Sequence, residues 1–369
     1  MAHEHAWVRA CIRDDCLELT EIPGKGLGYR ARRALARGEV LVEDEAYCSG
    51  NVGQYEFASM VQQCCAKAHA PFFRDEVMTL TAADAGDSSL KGILNNNVFA
   101  CSRELEHTAL FVAVARFNHS CCPSAFVDAD AGRAAVRALR EVQEGEEVCI
   151  SYIPVGMGLG SRQRALSRKG FVCGCERCRE EALHDPSLDV PCRCGAGSFR
   201  AEAGAPRRQT CGSCGAGFDR EGAEERLARV EEANAQLQEA SASSAPARDL
   251  AALLAEEGGG ELPPRHEQCL LLLRNLARRH HADAASALGK ERSSSMAAFA
   301  ELMCRYLSLY EASYGGWTNQ RDKGFLQCLN MLLSGAGAEL RERAQWQEKL
   351  ERACTLQFGQ RELPESLRG

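Results

Sequence analysis

Seven cysteines between positions 173 and 214 constrain the fold of this chain more than any other feature of its sequence. Cys173-x-Cys175-x-x-Cys178 puts three thiols within six residues, and zinc wants four ligands in a tetrahedron. Cys192-Arg193-Cys194-Gly195 and Cys211-Gly212-Ser213-Cys214-Gly215 then form two pairs, each followed by a glycine that relieves a tight turn, in the manner of a zinc ribbon. The first pair has one intervening residue where a ribbon usually has two. The chain holds 20 cysteines in all, a number that in a reducing compartment points to metal-holding thiolates rather than disulfides.

A length of 369 residues exceeds what one hydrophobic core usually organises and predicts two or three domains. With 45% hydrophobic and 26% charged residues the chain reads as an ordinary soluble globular protein. Met1-Ala2-His3-Glu4-His5 is polar and no apolar run reaches membrane-spanning length, which predicts an intracellular protein, cytoplasmic or nuclear, with no membrane partner. The net charge of −7 argues against nucleic-acid binding, which needs a basic stripe to release counterions. It suits a basic protein partner better.

The first half reads as short strands separated by glycine turns. Residues 16–19 and 39–43 predict strands, from the alternation in Leu17-Glu18-Leu19 and the β-branched residues of Val40-Leu41-Val42. Between them, Pro23-Gly24-Lys25-Gly26-Leu27-Gly28 lets the backbone approach a ligand closely and expose its amides. This turn does not open a helix after a strand, so it is not a dinucleotide fingerprint. Residues 50–92 predict a helical insertion, with Phe57, Met60, Val61 and Cys64 at helical spacing. Asn95-Asn96-Asn97 predicts a turn or helix cap before Val98-Phe99.

The apolar run Leu110 to Ala115 leads into Arg116-Phe117-Asn118-His119-Ser120-Cys121-Cys122-Pro123. An amide, an imidazole, a hydroxyl and a thiol in consecutive positions are what a site needs and a core strand does not. A strand pair at 125–127 and 134–139, turned through Asp130-Ala131-Gly132, and a strand from Val148 to Tyr152 follow. From Asp219 the chain reads helical, interrupted at residues 241–246 and 258–264, with apolar positions Leu270, Leu273, Leu276, Phe299, Met303 and Tyr306 at helical period.

Asn118-His119-Ser120-Cys121, followed by Gly145-Glu146-Glu147-Val148-Cys149-Ile150-Ser151-Tyr152, resembles the paired signature of SET-domain protein-lysine methyltransferases. Phe171-Val172-Cys173-Gly174-Cys175-Glu176-Arg177-Cys178 is similar to the cysteine tail of that family, particularly of its SET-and-MYND branch. The resemblance covers roughly residues 17 to 178. It implies that the turn with Lys25, Gly26 and Gly28 cradles the methionine half of S-adenosylmethionine, although Leu27 stands where the branch commonly has asparagine. It further implies that Asn97 lies near the cofactor, that Asn118 meets its ammonium or carboxylate, that His119 offers backbone groups to the adenine, and that Phe171 stacks on the adenine face. Tyr152 would border the same pocket and orient the reacting amine. Cys121 would be the fourth zinc ligand beside Cys173, Cys175 and Cys178.

Two departures stand out. Ser124 follows Pro123 where the family usually has asparagine, and the insertion offers only Cys64, Cys65 and His69, too few ligands for a MYND finger.

The reading is therefore an α+β fold: a SET-type core of short strands with a helical insertion at about 50–92 and a zinc tail over residues 10–180, a zinc ribbon at 181–220 holding Cys192, Cys194, Cys211 and Cys214, and a helical region at 221–369. The expected function is methylation of lysine side chains in a protein substrate, histone or non-histone, with S-adenosylmethionine and zinc as cofactors. A zinc-braced interaction scaffold is the alternative; a decayed site of that kind would be expected to lose Tyr152 or Asn118, and both are present.

Overall fold

The computed structural model describes residues 5–51, 54–67, 72–80, 89–101, 107–129, 132–201, 204–239, 262–314, 323–335 and 343–358. His69, Asp130, Ala131 and the expected helix interruptions between 241 and 261 lie outside the described residues.

After a short helix α1 (Ala6–Cys11), strands β1 (Leu17–Ile22) and β2 (Gly26–Ala31) form an antiparallel hairpin in which Leu17 faces Ala31 and Ile22 faces Gly26. Cys16 stays outside β1 because it ends the preceding 3-10 turn, its N–H donating to the Arg13 carbonyl at 3.0 Å. Gly24 and Gly26 take φ of 73° and 74°, left-handed values that close the turn and that glycine reaches without a Cβ clash.

Strands β3 (Val40–Glu45) and β4 (Cys48–Asn51) lead to the insertion, which holds helix α2 (Gln54–Ala66), a π-turn at Phe73–Val77 and helix α3 (Leu90–Asn97). The three asparagines close α3 rather than opening a turn, and Asn97 Nδ2 donates back to the Ile93 carbonyl at 2.7 Å. Next come β5 (Val98–Ala100), β6 (His107–Leu110), the two-residue β7 (Asn118–His119), β8 (Ala125–Ala129), β9 (Arg133–Ala138) and β10 (Glu147–Ile150).

They build three small sheets, ordered β1-β2-β10-β7, β3-β9-β8 and β4-β6-β5. The pairing of β7 with β10 is parallel, Asn118 opposite Cys149 and His119 opposite Ile150. That pairing brings the two halves of the signature side by side although they are distant in sequence. The arrangement is the α+β class expected from the alternation of short strands and helical segments.

One core fixes the approach to β7. Tyr29, Phe111 and Phe117 are fully buried; the Tyr29 hydroxyl donates to the Ala113 carbonyl at 2.9 Å and its ring lies 4.4 Å from that of Phe117. The Asp44 carboxylate accepts from Trp7 Nε1 at 3.0 Å and from the amides of Ala113 and Val114 at 2.7 and 3.3 Å, clamping the turn that precedes Asn118. Burial pushes the Asp44 pKa up, against the lowering effect of these hydrogen bonds. Arg116 reaches the other way, its guanidinium donating to the carbonyls of Glu76 and Thr79 at 2.7 and 3.0 Å, and so ties the insertion to the signature stretch.

Beyond the core come helices α4 (Leu159–Ser167) and α5 (Glu176–Leu183), with Cys173 and Cys175 between them and Cys178 in the first turn of α5. The second sits on two hairpins, β11 (Asp189–Pro191) with β12 (Ser198–Arg200) and β13 (Arg208–Thr210) with β14 (Gly217–Asp219), whose Phe199 and Phe218 rings stack at 5.0 Å. Helices α6 (Arg220–Glu239), α7 (Glu267–Ser286), α8 (Gly289–Tyr314), α9 (Lys323–Gly335) and α10 (Arg343–Phe358) follow, with Leu270, Leu273, Phe299, Met303 and Tyr306 in one buried cluster. They also touch the strands: Phe358 meets Phe126 of β8 edge-on at 5.9 Å, and the Glu267 carboxylate accepts from the Gly158 amide at 2.9 Å at the start of α4. Among the described residues no helix is long and apolar enough to cross a membrane.

Candidate active site

A cleft of about 770 Å³ opens where the β1–β2 turn, the end of α3, β7 and the segment after α4 meet. That size lies within the range of small-molecule pockets. Of the residues read from the sequence, Lys25, Gly26, Asn97, Asn118, His119, Tyr152 and Phe171 all line it. A Cβ built on Gly24 or Gly26 would meet nothing within 4 Å, so the turn borders open space that a ligand can enter.

Gly28 does not line the cleft but lies directly beneath it. A Cβ there would fall 2.3 Å from Asn118 Nδ2, so the missing side chain is what lets the asparagine sit against β2. Asn118 Nδ2 donates to Glu147 Oε1 at 3.1 Å, and Lys25 Nζ donates to Glu147 Oε2 at 2.6 Å. One carboxylate thus holds the amide and the ammonium together. Burial works to lower the Lys25 pKa, but the hydrogen bond to Glu147 and the negative charges around it together offset this and hold the group above its ordinary value. Asn97 lines the cleft while spending an amide hydrogen on its own helix.

Tyr152 is oriented from two sides. Its hydroxyl donates to the Phe117 carbonyl at 2.6 Å, and its backbone N–H donates to His119 Nδ1 at 3.0 Å. Because Nδ1 accepts, a neutral His119 carries its proton on Nε2, which lies 3.3 Å from Cys121 Sγ. The imidazole therefore connects the cysteine cluster to Tyr152. The Phe171 ring stands perpendicular to the Tyr152 ring at 6.2 Å and also packs beside Cys173 and Cys178.

The Sγ atoms of Cys121, Cys173, Cys175 and Cys178 all lie within 4.8 Å of one another, as do those of Cys192, Cys194, Cys211 and Cys214. Cys121 and Cys178 are 3.5 Å apart, Cys192 and Cys214 3.5 Å, and Cys194 and Cys211 3.7 Å. A zinc–sulfur bond of about 2.3 Å puts tetrahedral sulfur–sulfur edges near 3.8 Å, so both donor sets fit zinc in chemistry and size. Four thiolates around a dication leave a net double negative charge, and two guanidiniums stand beside the first set. Arg162, with no exposed surface, reaches Cys178 Sγ at 3.7 Å and the Met157 carbonyl at 2.6 Å, and ion-pairs with Glu181. Arg177 binds the same Glu181 at 2.6 Å and the Cys121 carbonyl at 3.4 Å.

Sequence reasoning missed Glu147 and Arg162. Glu147 stood within the quoted Gly-Glu-Glu run, so position gave a signal for it. Arg162 acts through Glu181 and Cys178 on the next helix, a pairing that no local pattern announces.

Residues 26–153 match the family model described as SET domain. Human N-lysine methyltransferase SMYD2 is 41% identical to this chain over 90 residues, covering 24% of this chain and 21% of that protein. Histone-lysine N-methyltransferase ASHR2 of Arabidopsis thaliana is 40% identical over 87 residues, 21% of this chain and 22% of that protein, and ATXR2 of the same plant is 41% identical over 80 residues, 20% and 17% respectively. The chain spans about a fifth of the length of these curated relatives.

Proposed function

We propose that this chain, which carries a SET domain and is similar to the SET-and-MYND branch, transfers a methyl group from S-adenosylmethionine to the side-chain amine of a lysine in a protein substrate. What supports this reading most is the single cleft shared by the glycine turn, Asn118, His119, Tyr152 and Phe171. When bound, the cofactor supplies an electrophilic methyl on a sulfonium. The chain's task is then alignment and exclusion of water.

Asn118, anchored through Nδ2 to Glu147, keeps its Oδ1 to accept from a cofactor ammonium, and the glycine turn offers backbone groups beside it. Phe171 gives a flat apolar face for the adenine. Tyr152, its proton directed at the Phe117 carbonyl, turns oxygen lone pairs toward an incoming amine. That amine must be neutral to react, against a reference pKa near 10.4, and withdrawal from water into the cleft disfavours its ammonium form. The two cysteine sets would each hold a zinc ion, and the first would brace the cleft rather than take part in the transfer.

The relatives' names include histone-lysine methyltransferases, so histones belong in the substrate panel beside other nuclear and cytoplasmic proteins. The test is incubation of the purified chain with isotopically labelled S-adenosylmethionine and a protein extract, followed by identification of the labelled residue. Label on lysine is expected. Label on histidine, or none on any protein, would defeat the proposal.

A further inference from the structure

Cys48 on β4 and Cys64 on α2 bring their sulfurs to 3.4 Å, with 2% and no exposed surface respectively. Neither belongs to the cleft or to the two sets of four cysteines. Among the described residues no third histidine, cysteine or carboxylate stands close enough to make them a metal site.

Their neighbours in the chain hold them in register. Gln63 Nε2 donates to the Ser49 carbonyl at 2.9 Å and the Ser49 amide donates to Gln63 Oε1 at 3.2 Å, so the residues beside the two thiols are bonded to each other twice. Lys67, just past the end of α2, donates from Nζ to the Tyr47 carbonyl at 2.5 Å. Cys48 is thus flanked by a tie on each side. The two thiols also differ in acidity. Once Cys64 ionises, the Cys48 S–H can donate to it; that hydrogen bond lowers the Cys64 pKa against the effect of burial, and the Lys67 charge works in the same direction. The same contact, together with burial, pushes the Cys48 pKa up. One sulfur is therefore the readier thiolate, and its neighbour is placed to resolve the product it forms.

We propose that Cys48 and Cys64 are a peroxide-oxidisable pair that closes to a disulfide and staples α2 to β4. The Cys64 thiolate attacks one oxygen of hydrogen peroxide: the S–O bond forms, the O–O bond breaks, and the departing hydroxide takes up the thiol's proton as water. The Cys48 sulfur then attacks the Cys64 sulfur; the S–S bond forms, the S–O bond breaks, and the hydroxyl leaves with the Cys48 proton as a second water. Two electrons pass from the sulfur pair to peroxide. Closing from 3.4 Å to a bond of about 2.05 Å asks for about 1.4 Å of travel, shared between two side chains. Peroxide reaches the buried pair when the end of α2, where Cys65 and Ala66 are exposed, opens locally. The bond joins positions 16 apart in the chain and so removes freedom from the unfolded state. It also fixes α2 to a sheet that reaches the cleft, since Cys48 faces Leu110, Leu110 faces Val98, and Val98 lines it.

The test uses the full chain, treated with a few equivalents of hydrogen peroxide, alkylated with iodoacetamide in denaturant, and cut with trypsin and a glutamate-specific protease. Cys48 and Cys64 then fall on separate fragments, Ala46–Glu56 and Phe57–Lys67. The two fragments should emerge joined, with the one alkyl group on Cys65, and dithiothreitol added before alkylation should separate them. Recovery of Cys48 and Cys64 in alkylated form, or a joined pair whose alkyl group sits on Cys64, would overturn the inference. Oxidation should also raise the denaturant midpoint of the chain by more than it changes that of Cys48→Ala, which keeps every other cysteine. A midpoint that responds equally in both would overturn the staple.

Discussion

Gly28→Ala adds one methyl group where the structure has no room for it. The new Cβ would lie 2.3 Å from Asn118 Nδ2 and 2.9 Å from Ile22 Cγ1, whereas heavy atoms in contact normally sit about 3.5–4.0 Å apart. Gly28 is not among the glycines with positive φ, so backbone strain has no part in the effect. Relief has to come from Asn118, whose amide must retreat by about 1 Å or more to regain an ordinary contact, enough to break its 3.1 Å hydrogen bond to Glu147.

A hydrogen bond to a charged group contributes roughly 1.5–3 kcal/mol. If the displaced amide no longer meets the cofactor, affinity for S-adenosylmethionine should fall by about 10- to 150-fold. Overpacking at Ile22 should cost stability as well, on the order of 1–3 kcal/mol. Calorimetric titration reads the first effect and denaturant midpoint the second. The cause can be isolated by repeating the substitution in Asn118→Ala, which removes the closer of the two clashes: the affinity loss from Gly28→Ala should then largely vanish. Full affinity in folded Gly28→Ala, or losses that simply add in the double variant, would refute the claim that this glycine exists to seat Asn118.

Elemental analysis of the purified chain should find two zinc ions, one for each set of four cysteines, and finding none would remove the metal reading of both sets. Tyr152→Phe keeps the ring and loses the hydroxyl bonded to the Phe117 carbonyl; turnover should drop roughly a hundredfold while cofactor affinity, measured by titration, holds. Equal turnover would take the hydroxyl out of the chemistry. Arg162→Met leaves Glu181 short of one of its two guanidinium partners in a nearly closed environment, and the denaturant midpoint should report a loss of roughly 3–5 kcal/mol. A change of under about 1 kcal/mol would mean that Arg177 suffices to balance the cluster.

Much of the fold was legible because its signals are local. Period-two alternation marked β1, glycines marked the hairpin turn, and the crowding of polar side chains at Asn118 to Cys121 marked a segment that is half strand and half cleft wall. The strand limits moved by a residue or two where capping competed: Cys16 belongs to a 3-10 turn, and Asn95 to Asn97 close a helix because Asn97 can satisfy a carbonyl at its end. The internal wiring of the site was not legible. Glu147 bridges Lys25 and Asn118, which are 93 residues apart in the chain (118 less 25), and Arg162 meets Glu181 across a helix pair. Such pairings depend on which side chains the topology happens to bring within 3 Å, and neither propensity nor spacing contains that information. His119 illustrates the same limit. The resemblance gave a role to its backbone and none to its ring, and the ring joins the cysteine cluster to Tyr152.

The helical region and the cleft half of the chain meet at Gly156 and Gly158. Glu267 accepts the Gly158 amide from 109 positions further on, and a Cβ on Gly156 would fall 2.5 Å from the Tyr310 hydroxyl oxygen. Positions 156 and 310 are therefore not free to drift separately. A residue larger than glycine at 156 requires either that the end of the Tyr310 side chain shift or that a smaller residue stand there, and a smaller one at 310 leaves a void unless 156 fills it. Proteins descended from a common ancestor with this one should show the two sites changing in step, glycine with tyrosine or a bulkier residue with a trimmed one. A graft of the strand core onto another chain would have to carry α8 along with it.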